Sequence, residues 1–167
     1  MFLKQRKKGV IFVAASCATI VTVLISIALI IGTLSLIHGG PEAEAVAGKN
    51  QKDIEQEFHQ ISPLSRMTVI QPSPMRWADH GIISAAYKTK ESYESIKLHY
   101  HNELTSRGWD FRREVDIKYD GHNYGGKELI YCKSGYVAHV QYAGRQETEF
   151  GWTFCFAITW GPSDECM

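Results

Sequence analysis

The stretch Glu91–Tyr119, ESYESIKLHYHNELTSRGWDFRREVDIKY, carries a helix signal followed directly by a strand signal. Its first part, Glu91–Arg107, is predicted to be an amphipathic helix because large apolar residues recur at helical spacing: Tyr93, Ile96, Tyr100 and Leu104. Gly108 follows in the position where glycine commonly ends a helix. Apolar and polar residues then alternate, which predicts a strand over Trp109–Tyr119.

The segments around this helix and strand predict an α+β fold. Two further strands, Lys127–Lys133 and Tyr136–Tyr142, flank the two-residue turn Ser134-Gly135. A last strand, Phe150–Trp160, alternates cleanly and points large aromatic residues to one side, where the helix can cover them. With an earlier strand at Ile82–Lys88, the prediction is one main helix packed on a four- to five-stranded, mostly antiparallel sheet in two layers.

Upstream of this domain, the run Val10–Ile37 holds twenty-eight residues without a charge, and four basic residues precede it: Lys4, Arg6, Lys7 and Lys8. A run of this length and composition predicts a transmembrane helix. Because positive flanks stay in the cytoplasm, the N-terminus is predicted to be cytoplasmic. Signal cleavage near Ala45 is the alternative, although the apolar run is longer than a signal peptide requires.

The predicted organisation has four parts, each with its own role. Residues 1–9 form a basic cytoplasmic tail, residues 10–37 a single membrane span, residues 38–61 a linker with a short stalk helix, and residues 62–167 an α+β domain that is periplasmic or extracellular. The bilayer would be one partner, through residues 10–37. Small residues spaced four apart in the span also allow a weak homodimer through that helix.

Charge and cysteine usage narrow the range of functions. Beyond the tail the chain has fourteen Lys and Arg against eighteen Asp and Glu, so no basic surface for nucleic acid is expected. Oxidising conditions would favour a disulfide joining Cys166 to Cys132 or to Cys155. Those last two lie on strands separated by a third, too far apart to bond to each other. No metal or cofactor is predicted, because metal-binding spacings are missing.

Known catalytic motifs are also missing from the sequence. There is no G-x-S-x-G turn and no phosphate-binding glycine loop. The prediction is therefore that the chain is not an enzyme. A hydrolase is kept as the alternative, because it would need only a cleft holding a histidine or carboxylate pair. Full exposure of His122 and His139, away from carboxylates, would remove that alternative.

Surplus tyrosines and tryptophans favour a binding function. The site residues predicted are Trp77 and Arg76 in a proline-rich loop, with Asp120, His122 and Tyr124 in a hairpin loop. The function predicted is a non-catalytic, membrane-anchored interaction domain, an accessory or immunity-type bacterial envelope protein that binds another envelope protein. A sensor or solute-binding module acting with a membrane partner is the alternative.

The Tyr93–Trp109 run resembles the helix-to-strand step of membrane-tethered or lipoprotein outer domains of bacteria, and this resemblance assigns no functional residue.

Overall fold

The computed structural model describes residues 40–77 and 79–166. Over these ranges the chain has an α+β fold with an antiparallel sheet, which confirms the predicted class. The main elements in chain order are α1 (Pro41–Gln60), β1 (Thr68–Arg76), β2 (Gly81–Lys88), α2 (Tyr93–Ser106), β3 (Asp110–Tyr119), β4 (His122–Lys133), β5 (Tyr136–Tyr142), α3 (Glu147–Phe150) and β6 (Phe154–Trp160). Single turns of 3-10 helix occur at Gly144–Gln146 and Asp164–Cys166.

The sheet has six strands in the order β1-β2-β6-β5-β4-β3, and every neighbouring pair is antiparallel. Strands β3 to β6 are neighbours in chain order and form an antiparallel meander. The sheet has more than the four to five strands predicted, because the prolines of β1 predict a loop there. Pro72 and Pro74 are tolerated there because β1 is an edge strand, whose outward N–H groups need no partner.

Helix α1 differs most from its predicted form. It has 20 residues and begins at Pro41, whereas the sequence predicts a linker with only a short stalk helix over residues 38–61. Proline suits the first helical position, and acidic residues in the first turn, here Glu42 and Glu44, favour the positive end of the helix dipole. Ala47 and Ile54 are buried, so packing on the sheet stabilises this polar helix.

The core lies between the two long helices and one face of the sheet. From α2 the buried residues are Ile96, Tyr100 and Leu104. They share a core cluster with Phe154 and Phe156 of β6, and the Tyr100 ring packs against both phenylalanine rings. Helix α1 adds Phe58, which stacks on Phe156 at 5.1 Å between ring centroids.

The predicted strand Phe150–Trp160 is shorter than expected. Gly151 takes a positive φ of 76° and ends α3, so the strand starts only at Phe154.

The predicted membrane span Val10–Ile37 lies outside the described residues, as does the basic tail before it. Among residues 40–77 and 79–166, none of the helices combines the length and apolar character needed to span a bilayer.

A disulfide joins Cys132 of β4 to Cys166 after β6, with their Cα atoms 5.7 Å apart. This is one of the two pairings that the sequence left open. Cys155 is a free thiol.

Candidate functional site

The sheet face opposite α1 and α2 carries a shallow depression of about 260 Å³. Four adjacent strands build it, since on each strand every second residue points to this face. The lining combines polar groups with small or apolar ones: Ile82, Ser84, Glu128, His139, Gln141, Cys155, Ala157 and Thr159. The open face therefore gathers side chains that lie far apart in the sequence.

Strand register brings Glu128 and His139 together at the edge of this depression. Glu128 of β4 lies directly opposite Gln141 of β5, and His139 is two residues before Gln141 on the same face. His139 Nδ1 is 2.9 Å from Glu128 Oε1. Gln141 Nε2 donates a second hydrogen bond, also 2.9 Å, to the same oxygen. The carboxylate is thus held by two donors from the neighbouring strand.

The hydrogen bond from His139 lowers the pKa of Glu128 below its ordinary value of 4.5, against the opposing effect of burial, and Gln141 lowers it further. Glu128 is therefore ionised at neutral pH, and an ionised carboxylate can only accept hydrogen bonds. His139 Nδ1 must then be the donor, which leaves the lone pair of a neutral ring on Nε2. The two side chains are only 22% and 17% exposed, so little water competes with their contact.

The remaining polar groups differ in their chemical capacity. Burial raises the pKa of Cys155 to about 11, so this thiol is protonated at neutral pH and is a poor nucleophile. Thr159 Oγ1 donates to the carbonyl of Val137 at 3.4 Å. Ser84 is half-buried on β2 and can donate its hydroxyl to a bound molecule. The depression thus offers one oriented base, one amide and hydroxyl donors. Among the described residues, no cluster of three or more His, Cys, Asp or Glu is placed to hold a metal ion.

The five residues predicted to bind a partner fall into two separate groups. Arg76 ends β1 and donates to Glu44 Oε1 at 2.6 Å, while Trp77 stacks on His80 at 4.5 Å between ring centroids. Asp120, His122 and Tyr124 lie in the β3–β4 hairpin. Because β1 and β3 are the opposite edges of the sheet, about 24 Å separates the two strands. The five residues do not form one site, and binding by either group stays a prediction.

Glu128 and Gln141 were not singled out from the sequence, although a signal for them exists. The two-residue turn Ser134-Gly135 sets the register of the β4–β5 hairpin, which places Glu128 opposite Gln141. Following that register from Lys133 and Tyr136 would have brought the carboxylate beside His139. A short motif search cannot detect such a pair, because its members are eleven positions apart.

Comparison with known proteins finds one partial similarity. The chain is 34% identical over 89 residues to a protein named 3-dehydroquinate dehydratase from Aquifex aeolicus (strain VF5). The match covers 52% of this chain and 37% of the relative, so the chain spans little more than a third of that protein's length. No family model matches the chain, and no solved structure matches it.

This similarity contradicts the predicted function. A relative named for an enzymatic reaction does not agree with a non-catalytic, membrane-anchored interaction domain. The prediction was wrong because missing motifs were interpreted as a missing site. A pair assembled across strands, such as Glu128 with His139, leaves no contiguous motif. The predicted compartment and protein partners stay predictions.

Proposed function

We propose that this chain is an acid–base enzyme that removes water from a small hydroxylated carbonyl compound, with His139 as the reacting group. The observation that carries the proposal is the half-buried His139–Glu128 pair in the depression. The partial similarity to a protein named as a dehydratase supports this reaction class. A histidine held in one tautomer by a carboxylate is a recurring arrangement for proton transfer.

The reaction would use one residue for both proton transfers. His139 Nε2 takes a proton from the carbon beside the substrate carbonyl, and the C–H electron pair becomes a carbon–carbon double bond. The bond from the next carbon to its hydroxyl oxygen breaks, and the leaving oxygen receives the proton from the imidazolium as water. Glu128 stabilises the imidazolium that exists between the two transfers. The Ser84 hydroxyl can hydrogen-bond the carbonyl oxygen as negative charge develops on it.

The size of the depression limits the substrate. About 260 Å³ is slightly below the usual range for ligand pockets, roughly 300–1,000 Å³, so the substrate must be small. We take 3-dehydroquinate as the first compound to test, because the similar protein is named for it.

A hydrolase is the enzyme alternative that the sequence leaves open, and a hydrolase with a serine nucleophile fits the geometry less well. His139 lies opposite Ala157, and Ala157 lies opposite Ser84, so a whole strand separates the histidine from the serine. Two strand spacings amount to about 10 Å between their backbones, which is beyond the reach of a direct hydrogen bond between these side chains. Because His139 pairs with a carboxylate and not with a serine, the only hydrolysis it could support is one in which it activates a water molecule.

The test is a turnover assay with the purified full-length chain and 3-dehydroquinate, extended to other β-hydroxy carbonyl compounds. Loss of water creates a conjugated carbonyl, so product is followed by ultraviolet absorbance and its identity checked by mass spectrometry. We expect turnover by the unchanged chain and a loss of about 10²–10⁴-fold in His139→Gln. The matched control is His122→Gln, which changes an exposed histidine at the start of β4.

Two outcomes would contradict the proposal. One is a complete lack of turnover by the full-length chain on every compound tested. The other is turnover that survives His139→Gln unchanged, since activity would then arise elsewhere. Glu128→Gln tests whether Glu128 orients His139 or only supports the fold. The variant is expected to lower the rate and to change its pH profile, while its circular dichroism spectrum stays as in the unchanged chain.

A further inference from the structure

A second and larger cavity lies away from the depression, where β1, β2 and the segment before α2 meet. This cavity, the Arg66 cleft, has a volume of about 650 Å³. Three cationic side chains line it from two chain segments: Arg66 before β1, and Lys88 and Lys90 where β2 leads into α2. Ile70, which is 46% exposed, supplies an apolar wall.

The three cations form no close ion pair with any residue that the structure describes. Within the described part of the chain, Arg66, Lys88 and Lys90 take part in none of the ion pairs closer than 4.0 Å. Two carboxylates, Glu91 and Glu147, also line the cleft, so its net charge is +1. One net positive charge beside an apolar wall favours a monoanion with an organic body over a compact polyanion.

Hydrogen bonds made by two threonines, Thr89 and Thr153, hold the rim of the cleft in place. Thr153 Oγ1 accepts from the Thr89 N–H at 3.1 Å and lies 2.8 Å from Glu147 Oε1. Thr89 Oγ1 in turn accepts from the Glu91 N–H at 3.2 Å and lies 3.5 Å from the carbonyl oxygen of Arg66. Both threonines are buried, so these contacts tie the segment of Arg66 to the segment that carries Lys88 and Lys90. A ligand would meet a cleft that is already formed.

The cleft is separate from the His139 depression. Ser84 lines the depression and Lys88 the cleft, and these residues are four positions apart along β2. That separation is about 13 Å, longer than the small substrate proposed above. A molecule in the cleft is therefore a second ligand.

We infer that the Arg66 cleft binds a small organic carboxylate. The carboxylate lies among Arg66, Lys88 and Lys90, where charge-assisted hydrogen bonds are available. The organic body lies along Ile70, and its polar groups meet Glu91 or Glu147. This inference does not depend on the reaction proposed for His139.

The test titrates the full-length chain with benzoate and follows backbone amide resonances by NMR. Benzyl alcohol, which lacks the charge, and inorganic phosphate, which lacks the apolar body, are titrated in parallel. We expect saturable benzoate shifts at residues 66–70 and 88–91, with weaker binding of both comparison compounds. Arg66→Gly should weaken benzoate binding by about tenfold or more, as expected for losing a charge-assisted hydrogen bond.

Glycine is chosen at position 66 because Arg66 has a positive φ of 61°, which glycine adopts without strain. Lys118→Ala is the matched control, since Lys118 is an exposed lysine on β3, at the other edge of the sheet. The inference is overturned if benzoate produces no saturable shift at the cleft, or if phosphate or benzyl alcohol binds as tightly as benzoate. Equal weakening by Arg66→Gly and Lys118→Ala would also overturn it.

Discussion

At the scale of single residues, the most informative side chain is Glu128. Its carboxylate accepts hydrogen bonds from His139 and Gln141, and its pKa is lowered chiefly by the first of these. Because an unpaired carboxylate buried this far would be costly, the two donors are what allow the charge to remain. The same contacts orient His139, so the stability and the proposed chemistry of the depression depend on one group.

A dependence of stability on pH follows from the lowered pKa of Glu128. The unfolded chain binds this proton more readily than the folded chain, so Glu128 stabilises the fold above pH 4.5, its ordinary pKa. That contribution is lost as pH falls through the lower pKa of the folded state. Glu128→Gln should lower the free energy of unfolding by about 1–3 kcal/mol at pH 7 and flatten its decline in acid.

Denaturant unfolding measured from pH 7 into the acid range checks this prediction. Glu149→Gln is the control, since Glu149 is exposed and forms no ion pair with a described residue. An acid decline that is equally steep with and without the Glu128 carboxyl would show that its pairing with His139 does not stabilise the fold.

At the scale of elements, the contact between α1, β2 and β6 depends on one glycine. Trp160 Nε1 donates to Gln51 Oε1 at 3.1 Å, and both side chains are buried. Gly81 lies opposite Trp160 in the sheet. A Cβ atom at Gly81 would collide with the two atoms of that hydrogen bond. Because Gly81 has no side chain, α1 can approach β2 closely enough for Gln51 to form its hydrogen bond with Trp160.

Gly81→Ala is therefore expected to destabilise the protein by about 1–3 kcal/mol, through overpacking and an unsatisfied buried polar group. Thermal unfolding and tryptophan fluorescence measure the two effects, since Trp160 must move. Gly40→Ala is the matched control, because a Cβ there would meet no heavy atom within 4 Å. Equal melting temperatures for the two variants would mean that α1 does not pack closely over Gly81.

At the scale of the whole molecule, the chain end is fastened across the open face of the sheet. The tail contacts β4 and β5, where Ile130 and Val137 are almost fully buried. Two bonds hold it: the Cys132–Cys166 disulfide and an ion pair between Arg113 and Glu165. The tail is thereby joined to β4 and β5, the two strands that carry Glu128 and His139.

Loss of the disulfide should therefore loosen the tail and the sheet together. The bond spans a sequence separation of 34, and a loop of that size predicts a loss of about 2–4 kcal/mol in Cys166→Ser. Denaturant unfolding with and without reductant tests this. Reductant should lower the free energy of unfolding of the unchanged chain to that of Cys166→Ser, and it should leave the value for the variant unchanged. Cys155→Ser, at a free thiol, is the control, and it should keep the response to reductant.

Local patterns predicted the elements whose stabilising contacts are close in the sequence. Helix α2 occupies Tyr93–Ser106 within the predicted Glu91–Arg107, and β5 occupies Tyr136–Tyr142 as predicted. Helical periodicity and hairpin turns are short-range, so they survive in any tertiary setting. The failures were α1 and β1, a polar helix and a proline-containing strand. Helix α1 is stabilised by packing on a face of the sheet, and β1 by pairing at its edge. Neither contact can be inferred from the residues of the element itself.

By itself, then, the amino-acid order determined an antiparallel α+β domain with α2 on its aromatic face, because alternation and helical spacing are properties of neighbouring residues. Only the tertiary structure decided the pairing of β2 with β6, the choice of Cys132 for Cys166, and the meeting of His139 with Glu128. These depend on the order and register of strands distant in the chain, which hydrogen bonding and core packing select together.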